Sequence, residues 1–210
     1  MSSHFLCQHC GNYLTHLCSV ALLSCSYDQC RDAERTFDAK AIYQKSALAL
    51  EQDQNDGCLP CVVSGDWRLF EDRKGKPGWI AHERGATLGF DLTFGNSPRV
   101  VISFLRSYEK LGAVKIGFAA DGAQGDQLNT IAGGQYSIDG IWPQGTMPPG
   151  DGGRVSQVHS LALNVQQAEV QQRHGDAAMV GFSIQPFSHR RLLITLERSG
   201  KFKVLSVVSC

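Results

Sequence analysis

Neither sign of charge prevails in this chain. Lysine and arginine together number 20, aspartate and glutamate 20, and the formal net charge is zero. That balance removes the electrostatic footprint of a nucleic-acid binder, and no polybasic run offers itself to an anionic membrane. Long hydrophobic runs are also missing. Leu14 to Leu23 is mildly apolar but is broken by His16, Cys18 and Ser19, well short of the ~20 apolar residues that span a bilayer. With no basic segment before it, this stretch makes no clear signal peptide. A glycosylation sequon is lacking: neither Asn96-Ser97-Pro98 nor Asn129-Thr130-Ile131 has Ser or Thr in third place. No transmembrane segment and no nucleic-acid partner are therefore expected. Thiols, too, are almost absent after residue 61, where only Cys210 follows.

The other seven cysteines, Cys7, Cys10, Cys18, Cys25, Cys30, Cys58 and Cys61, crowd into the first 61 residues. Together with Cys210 they are candidates for a disulfide framework whose connectivity spacing alone does not give. Clustered cysteines of this kind staple loop-rich regions in oxidising compartments, so the expected location is extracellular or at the cell surface. The alternative is zinc, held by the two Cys-x-x-Cys pairs Cys7/Cys10 and Cys58/Cys61. Against it stands the long interval between the pairs, which carries a helical pattern. Cys58-Leu59-Pro60-Cys61 lacks the βαβ setting of a redox dithiol.

Two regions follow. Residues 1–62 read as a cysteine-rich arm plus one helix, placed over residues 32–52 with Asp32 at its entry and Asp53-Gln54-Asn55-Asp56-Gly57 at its end. Residues 63–210 read as a β-domain, long enough to bury its own core. Leu88, Phe90, Leu92 and Phe94 alternate on one face, as a half-buried strand requires. Arg99 to Tyr108 is apolar on both sides in its first half, and Ala113 to Ala119 alternates again. The short link between them predicts a hairpin, and Ser199-Gly200 predicts a second one between His189–Glu197 and Phe202–Val208. Further strands are expected at 161–165 and 179–184. The Gly-rich stretches 121–134 and 143–153 read as loops. The fold class is mainly β: an antiparallel, jelly-roll-like β-sandwich with a cysteine-rich N-terminal arm and one helix.

No catalytic motif stands out. Ser156, His159 and Asp151 contain the atoms of a triad, but no nucleophile elbow surrounds the serine. The glycine-rich stretches lack the strand–loop–helix setting of a phosphate cradle. The residues thus argue against an enzyme. Flat aromatic faces suit the C–H faces of sugar rings, with nearby polar groups to hold the hydroxyls. Trp67 and Trp142 are candidate platforms, each with a core position as the alternative, and Trp79 inside a strand is expected to be core. Asp139, Arg106 and Tyr108 are the candidate polar partners. No cofactor is required; besides zinc, calcium on Asp121, Asp126 or Asp139 is an open alternative.

Lys76-Pro77-Gly78-Trp79, Leu105-Arg106-Ser107-Tyr108-Glu109 with Leu111-Gly112, Asp139-Gly140-Ile141-Trp142 and the closing Lys201–Cys210 segment resemble, as a set, a β-sandwich region at the C-terminus of SGNH-hydrolase-like cell-surface proteins of algae and protists. The resemblance covers about residues 66–210. Gly65-Asp66 is followed by Trp67 where those esterases carry their nucleophile serine, and no late Asp-x-x-His is present. The resemblance thus implies an accessory module without its catalytic domain, binding polysaccharide or glycoprotein beside an attached or associated hydrolase. The alternatives are a structural or protein-interaction domain of an extracellular assembly, or a fragment of an SGNH-type carbohydrate esterase.

Overall fold

Among the described residues, the alternating apolar patterns become eleven strands, with one helix beside them. The computed structural model describes residues 35–48, 60–123, 127, 131–143, 155–165 and 183–210. The strands are β1 (Arg35–Asp38), β2 (Cys61–Ser64), β3 (Arg68–Glu71), β4 (Pro77–Ala81), β5 (Thr87–Thr93), β6 (Arg99–Arg106), β7 (Ala113–Ala119), β8 (Ile131–Asp139), β9 (Gln157–Asn164), β10 (His189–Arg198) and β11 (Phe202–Ser209); helix α1 spans Ala39–Leu48.

They form two antiparallel sheets. One runs β3-β4-β11-β6-β9, with β1 also on β11, and the other runs β2-β5-β10-β7-β8. From β4 to β11 the eight strands are dealt into two groups of four, β4-β11-β6-β9 and β5-β10-β7-β8, which is the jelly-roll order. The expected fold class is what the chain adopts. β4 and β1 share one side of β11: Phe202 to Val204 pair with β4, Ser206 to Ser209 with β1.

Both expected hairpins are corrected. β6 pairs with β11 and β9 while β7 pairs with β10 and β8, so the 107–112 link crosses from one sheet to the other. The Ser199-Gly200 turn does the same between β10 and β11. Alternation specifies which side chains point inward, but both sheets point inward at one core, so it does not tell them apart. Residues 131–134 belong to β8 rather than to a loop: Ile131 and Ala132 pair with Ala119 and Phe118, and Gly133-Gly134 fall at the register shift before Gln135 pairs with Gly117. Ser183 and Ile184 are not in a strand, and the rest of the strand expected at 179–184 lies outside the described residues.

The helix also starts later than expected. Arg35–Asp38 is a strand antiparallel to β11, because Phe37 is buried in the core with its ring edge-on to Phe90 at 5.2 Å. Tertiary packing of this kind overrides local helix propensity. Asp38, not Asp32, caps the helix: its Oδ1 accepts the Ala41 amide at 2.7 Å. The boundary drawn between 62 and 63 falls inside β2, and the sandwich takes β1 from the segment assigned to the arm.

The core lies between the sheets. Trp79, Phe90, Phe94, Phe104, Phe118 and Phe202 fill it with Leu, Ile and Val from the inward faces of both. Trp79 stands edge-on to Phe90 at 5.5 Å, as expected for a core residue. Trp67 is corrected as a platform candidate, since it is only 3% exposed in the same cluster. Between β2 and β3 its ring turns into the sandwich instead of toward solvent.

Candidate functional site

The site lies where the 107–112 link crosses the edge of the sandwich. Ser107 donates its amide to the Gly140 carbonyl at 2.9 Å, and its own carbonyl accepts the Trp142 amide at 3.0 Å. Gly140 in turn donates to Gly112 O at 3.0 Å, and Gly112 to Lys201 O at 3.0 Å. These bonds bind three segments from different sheets into one rim. Glycine is required at the tightest approach. A Cβ on Gly140 would sit 2.8 Å from the Gly112 carbonyl oxygen and 2.8 Å from Leu111 Cβ, distances that real side chains do not tolerate.

Four of the five sugar-site candidates, Arg106, Tyr108, Asp139 and Trp142, fall on this rim. Trp142 is half-buried. Its indole N–H donates to the Val155 carbonyl at 3.2 Å. Arg106, only 7% exposed, lays its guanidinium 5.4 Å from the Trp142 ring centroid and 5.6 Å from that of Phe104, a cation–π arrangement. Arg106 Nε also donates to the Asp139 carbonyl at 3.2 Å. Tyr108 is half-buried at the start of the bend that follows β6.

Asp139 holds the rim together. Its Oδ1 accepts the Ile141 amide at 2.8 Å and Arg198 Nη2 at 2.6 Å, and its Oδ2 accepts Arg198 Nη1 at 2.9 Å. Burial acts to raise the Asp139 carboxyl pKa, but the Arg198 hydrogen bonds, the Ile141 amide and the charges of Arg198 and Arg106 outweigh it and hold the group below its ordinary value. Both Asp139 oxygens are thus engaged by this chain, and Arg106 and Asp139 tie together the segments on either side of Trp142.

His159 was not among the sugar-site candidates, yet it belongs to the same cluster. It stands edge-on to Trp142 at 6.0 Å and to Phe104 at 5.3 Å, and Phe104 stacks on Phe202 at 5.7 Å. An aromatic path thus leads from the core to the rim. In the sequence, His159 occupies an inward place in the alternation of β9, opposite Phe104 on β6; that pairing was the missing signal. Ser156 Oγ lies 2.6 Å from Ser107 Oγ, so its hydroxyl partner is a serine.

Of the calcium candidates, Asp121 forms an ion pair with Arg190, Asp139 is bound by Arg198, and Asp126 lies outside the described residues. Among the described residues no three His, Cys, Asp or Glu side chains gather in a metal-binding group. Cys7, Cys10, Cys18, Cys25, Cys30 and Cys58 lie outside the described residues, as does Asp151, while Cys61 and Cys210 end up on β2 and just after β11. No described helix is long and apolar enough to cross a membrane.

No protein-family model matches this sequence, and no curated protein sequence matches it. Among solved structures the chain is similar to a two-domain esterase active on acetylated mannans, with 11% identity and a TM-score of 0.41 over 84% of this chain and 36% of that one. It is also similar to the CBM36-1 domain of a multidomain xylanase from the hindgut metagenome of Trinervitermes trinervoides (4% identity, TM-score 0.38, 72% of this chain and 90% of that one). A third is CsCBM6-3 from Clostridium stercorarium in complex with cellobiose (9% identity, TM-score 0.37, 86% and 89%). The chain thus spans little more than a third of the esterase's length. With overlaps this loose, the chemistry of this chain has to be read from its own side chains.

Proposed function

We propose that this chain is a non-catalytic accessory module that binds carbohydrate through the Trp142 rim. The observation that carries the reading is the fixing of a half-buried indole on three sides: Arg106 beside its ring, His159 at its edge and the Val155 carbonyl on its N–H. A ring held in place before binding loses little conformational freedom when a sugar stacks on it. Tyr108 supplies a hydroxyl and ring at the same rim. The ligand class is a polysaccharide or glycoprotein glycan, and the module acts beside an attached or associated hydrolase, with a carbohydrate esterase the implied partner. Its setting is extracellular, and its N-terminal cysteines pair as disulfides rather than bind zinc.

Affinity electrophoresis through gels containing xylan, galactoglucomannan or mixed-linkage β-glucan tests the reading. The protein is expected to be retarded by at least one polymer, and Trp142→Ala, still folded at the assay temperature, to be retarded distinctly less. Free migration of the wild-type protein through all three and through algal wall polysaccharides rejects it.

One observation favours a second reading, as a protein-interaction domain. Among the described residues β9 ends its sheet and carries Val158, which is 62% exposed, and a sheet edge with an apolar side chain is a template for another chain. Concentration-dependent dimerisation abolished by Val158→Lys, without polysaccharide retention, would select it.

A further inference from the structure

The sharpest local conflict between sequence and structure lies at the other end of the jelly roll. Gln185-Pro186-Phe187-Ser188 is a turn, and Phe187 sits in it with φ 55°. After proline in such a turn, a positive φ calls for glycine or asparagine, and a bulky side chain there is an outlier. Nothing buried compensates for it, because Phe187 is 73% exposed. Violations of turn chemistry that bring no packing concentrate at functional positions.

The turn is also firmly held. Phe187 donates its amide to Gly95 O at 3.1 Å, Phe94 donates to Ser188 O at 2.9 Å, and Ser188 Oγ donates to Gln185 O at 2.6 Å. The ring is therefore presented to solvent on a fixed backbone. Gln185 precedes it by two positions, Asn96 follows its hydrogen-bond partner Gly95, and His189 opens β10; all three are exposed, the last with its Nδ1 3.0 Å from Thr93 Oγ1. An exposed aromatic ring with amides and an imidazole on adjoining positions of the backbone has the chemistry of a sugar contact: C–H groups on the ring, hydroxyls on the polar groups.

We propose that Phe187 is the platform of a second carbohydrate-binding site, separate from Trp142. This turn packs at the Arg99 end of β6 through Gly95, whereas the Trp142 rim is built on the Arg106 end. The eight residues of β6 set the two sites roughly 25 Å apart. One polymer chain, or two neighbouring chains, is then engaged at both ends of the module. The choice of ligand rests on the reading of the chain as a carbohydrate module; the strained, exposed ring does not.

The test uses the full chain with three variants. Phe187→Asn keeps a residue that tolerates the left-handed backbone but removes the ring; Phe187→Tyr keeps the ring; Trp142→Ala removes the other platform. The probes are the polymer that retards the wild-type protein and its hexasaccharide. Phe187→Asn is expected to melt at the same temperature or higher, to lose one hexasaccharide equivalent by calorimetry, and to bind the polymer about tenfold more weakly as bivalency is lost. Phe187→Tyr should behave as wild type. If Phe187→Asn keeps full stoichiometry and polymer affinity while Trp142→Ala abolishes both, the second site is overturned and the Trp142 reading stands. If Phe187→Asn loses binding and Trp142→Ala does not, the second site stands and the Trp142 reading falls. If no polymer retards the wild-type protein, both fall.

Discussion

Arg106 and Trp142 form a cation–π pair: the guanidinium carbon lies 5.4 Å from the indole centroid although the two residues come from different segments, the end of β6 and the loop after β8. The contact is worth about 0.5–2 kcal/mol depending on its desolvation. Arg106 further ties the two segments through the Asp139 carbonyl. Arg106→Leu, which removes both, is expected to lower stability by about 1–3 kcal/mol, the range for leaving a buried polar group without its partner. It should also release the indole. Trp67 and Trp79 are each 3% exposed, so acrylamide quenching of tryptophan fluorescence reports mainly Trp142 and should rise in Arg106→Leu. Unchanged quenching would mean that the cation–π contact does not hold the ring.

Gly140→Ala tests the close approach that shapes the rim. The added methyl meets the Gly112 carbonyl and Leu111, so the rim must spread, at a cost of about 1–3 kcal/mol in overpacking. The expected result is a lower melting temperature together with weaker polysaccharide retention. Loss of stability with retention intact would separate the rim from the binding surface.

Acid should loosen the same rim. The folded-state pKa of Asp139 is lowered, so the stability it contributes is present above the unfolded value of about 3.9 and is lost as pH falls through the folded value. Asp66 and Asp72 are lowered as well. For Asp66, the Glu83 and His82 amides outweigh the effect of burial, and for Asp72 the ammonium groups of Lys201 and Lys203 do. The melting temperature should therefore hold above pH 5 and drop below pH 4. Asp139→Asn should be less stable at neutral pH and show a shallower acid decline. Both Asp139 and Arg198 are substantially exposed, so the ion pair itself is worth about 0–1 kcal/mol. A profile identical to that of wild type would show that Asp139 carries none of the acid response.

Phe37→Ala asks whether the segment before residue 63 is integral to the sandwich. Phe37 is 2% exposed and packs edge-on to Phe90, so truncation should cost about 3–5 kcal/mol in chemical denaturation. A loss under 1 kcal/mol would show that β1 is dispensable.

Much of the fold is legible in residue order where side chains alternate. Leu88, Phe90, Leu92 and Phe94, or Val114, Ile116 and Phe118, show their faces directly, and β5, β6, β7, β10 and β11 lie close to where that period puts them. The pairing of strands is not legible in this way. The link from Arg106 to Ala113 is short enough for a hairpin, yet β6 joins β11 and β9 while β7 joins β10 and β8, partners that, apart from β8, are distant in sequence. β8 is hidden by Ala132-Gly133-Gly134, which offer one methyl group and no alternating pattern. At the site, Arg106, Tyr108, Asp139 and Trp142 stand out in the sequence by their chemistry, and the crossing link brings them together. Chemistry alone did not reveal that Asp139 would be used up by Arg198, nor that Trp67 would turn inward. Both depend on contacts with residues distant in sequence.

The position of β11 sets the order in which this molecule becomes a protein. Its two sides are covered by β6 on one and by β4 and β1 on the other, all of them much earlier in the chain. Until Phe202–Ser209 has arrived, those three strands expose raw edges and the sheet beneath them has a slot where its middle should be. The sandwich is thus keyed like an arch by a stone set late. Nascent chains that stall before Phe202 are the ones expected to need a chaperone or to pair with each other.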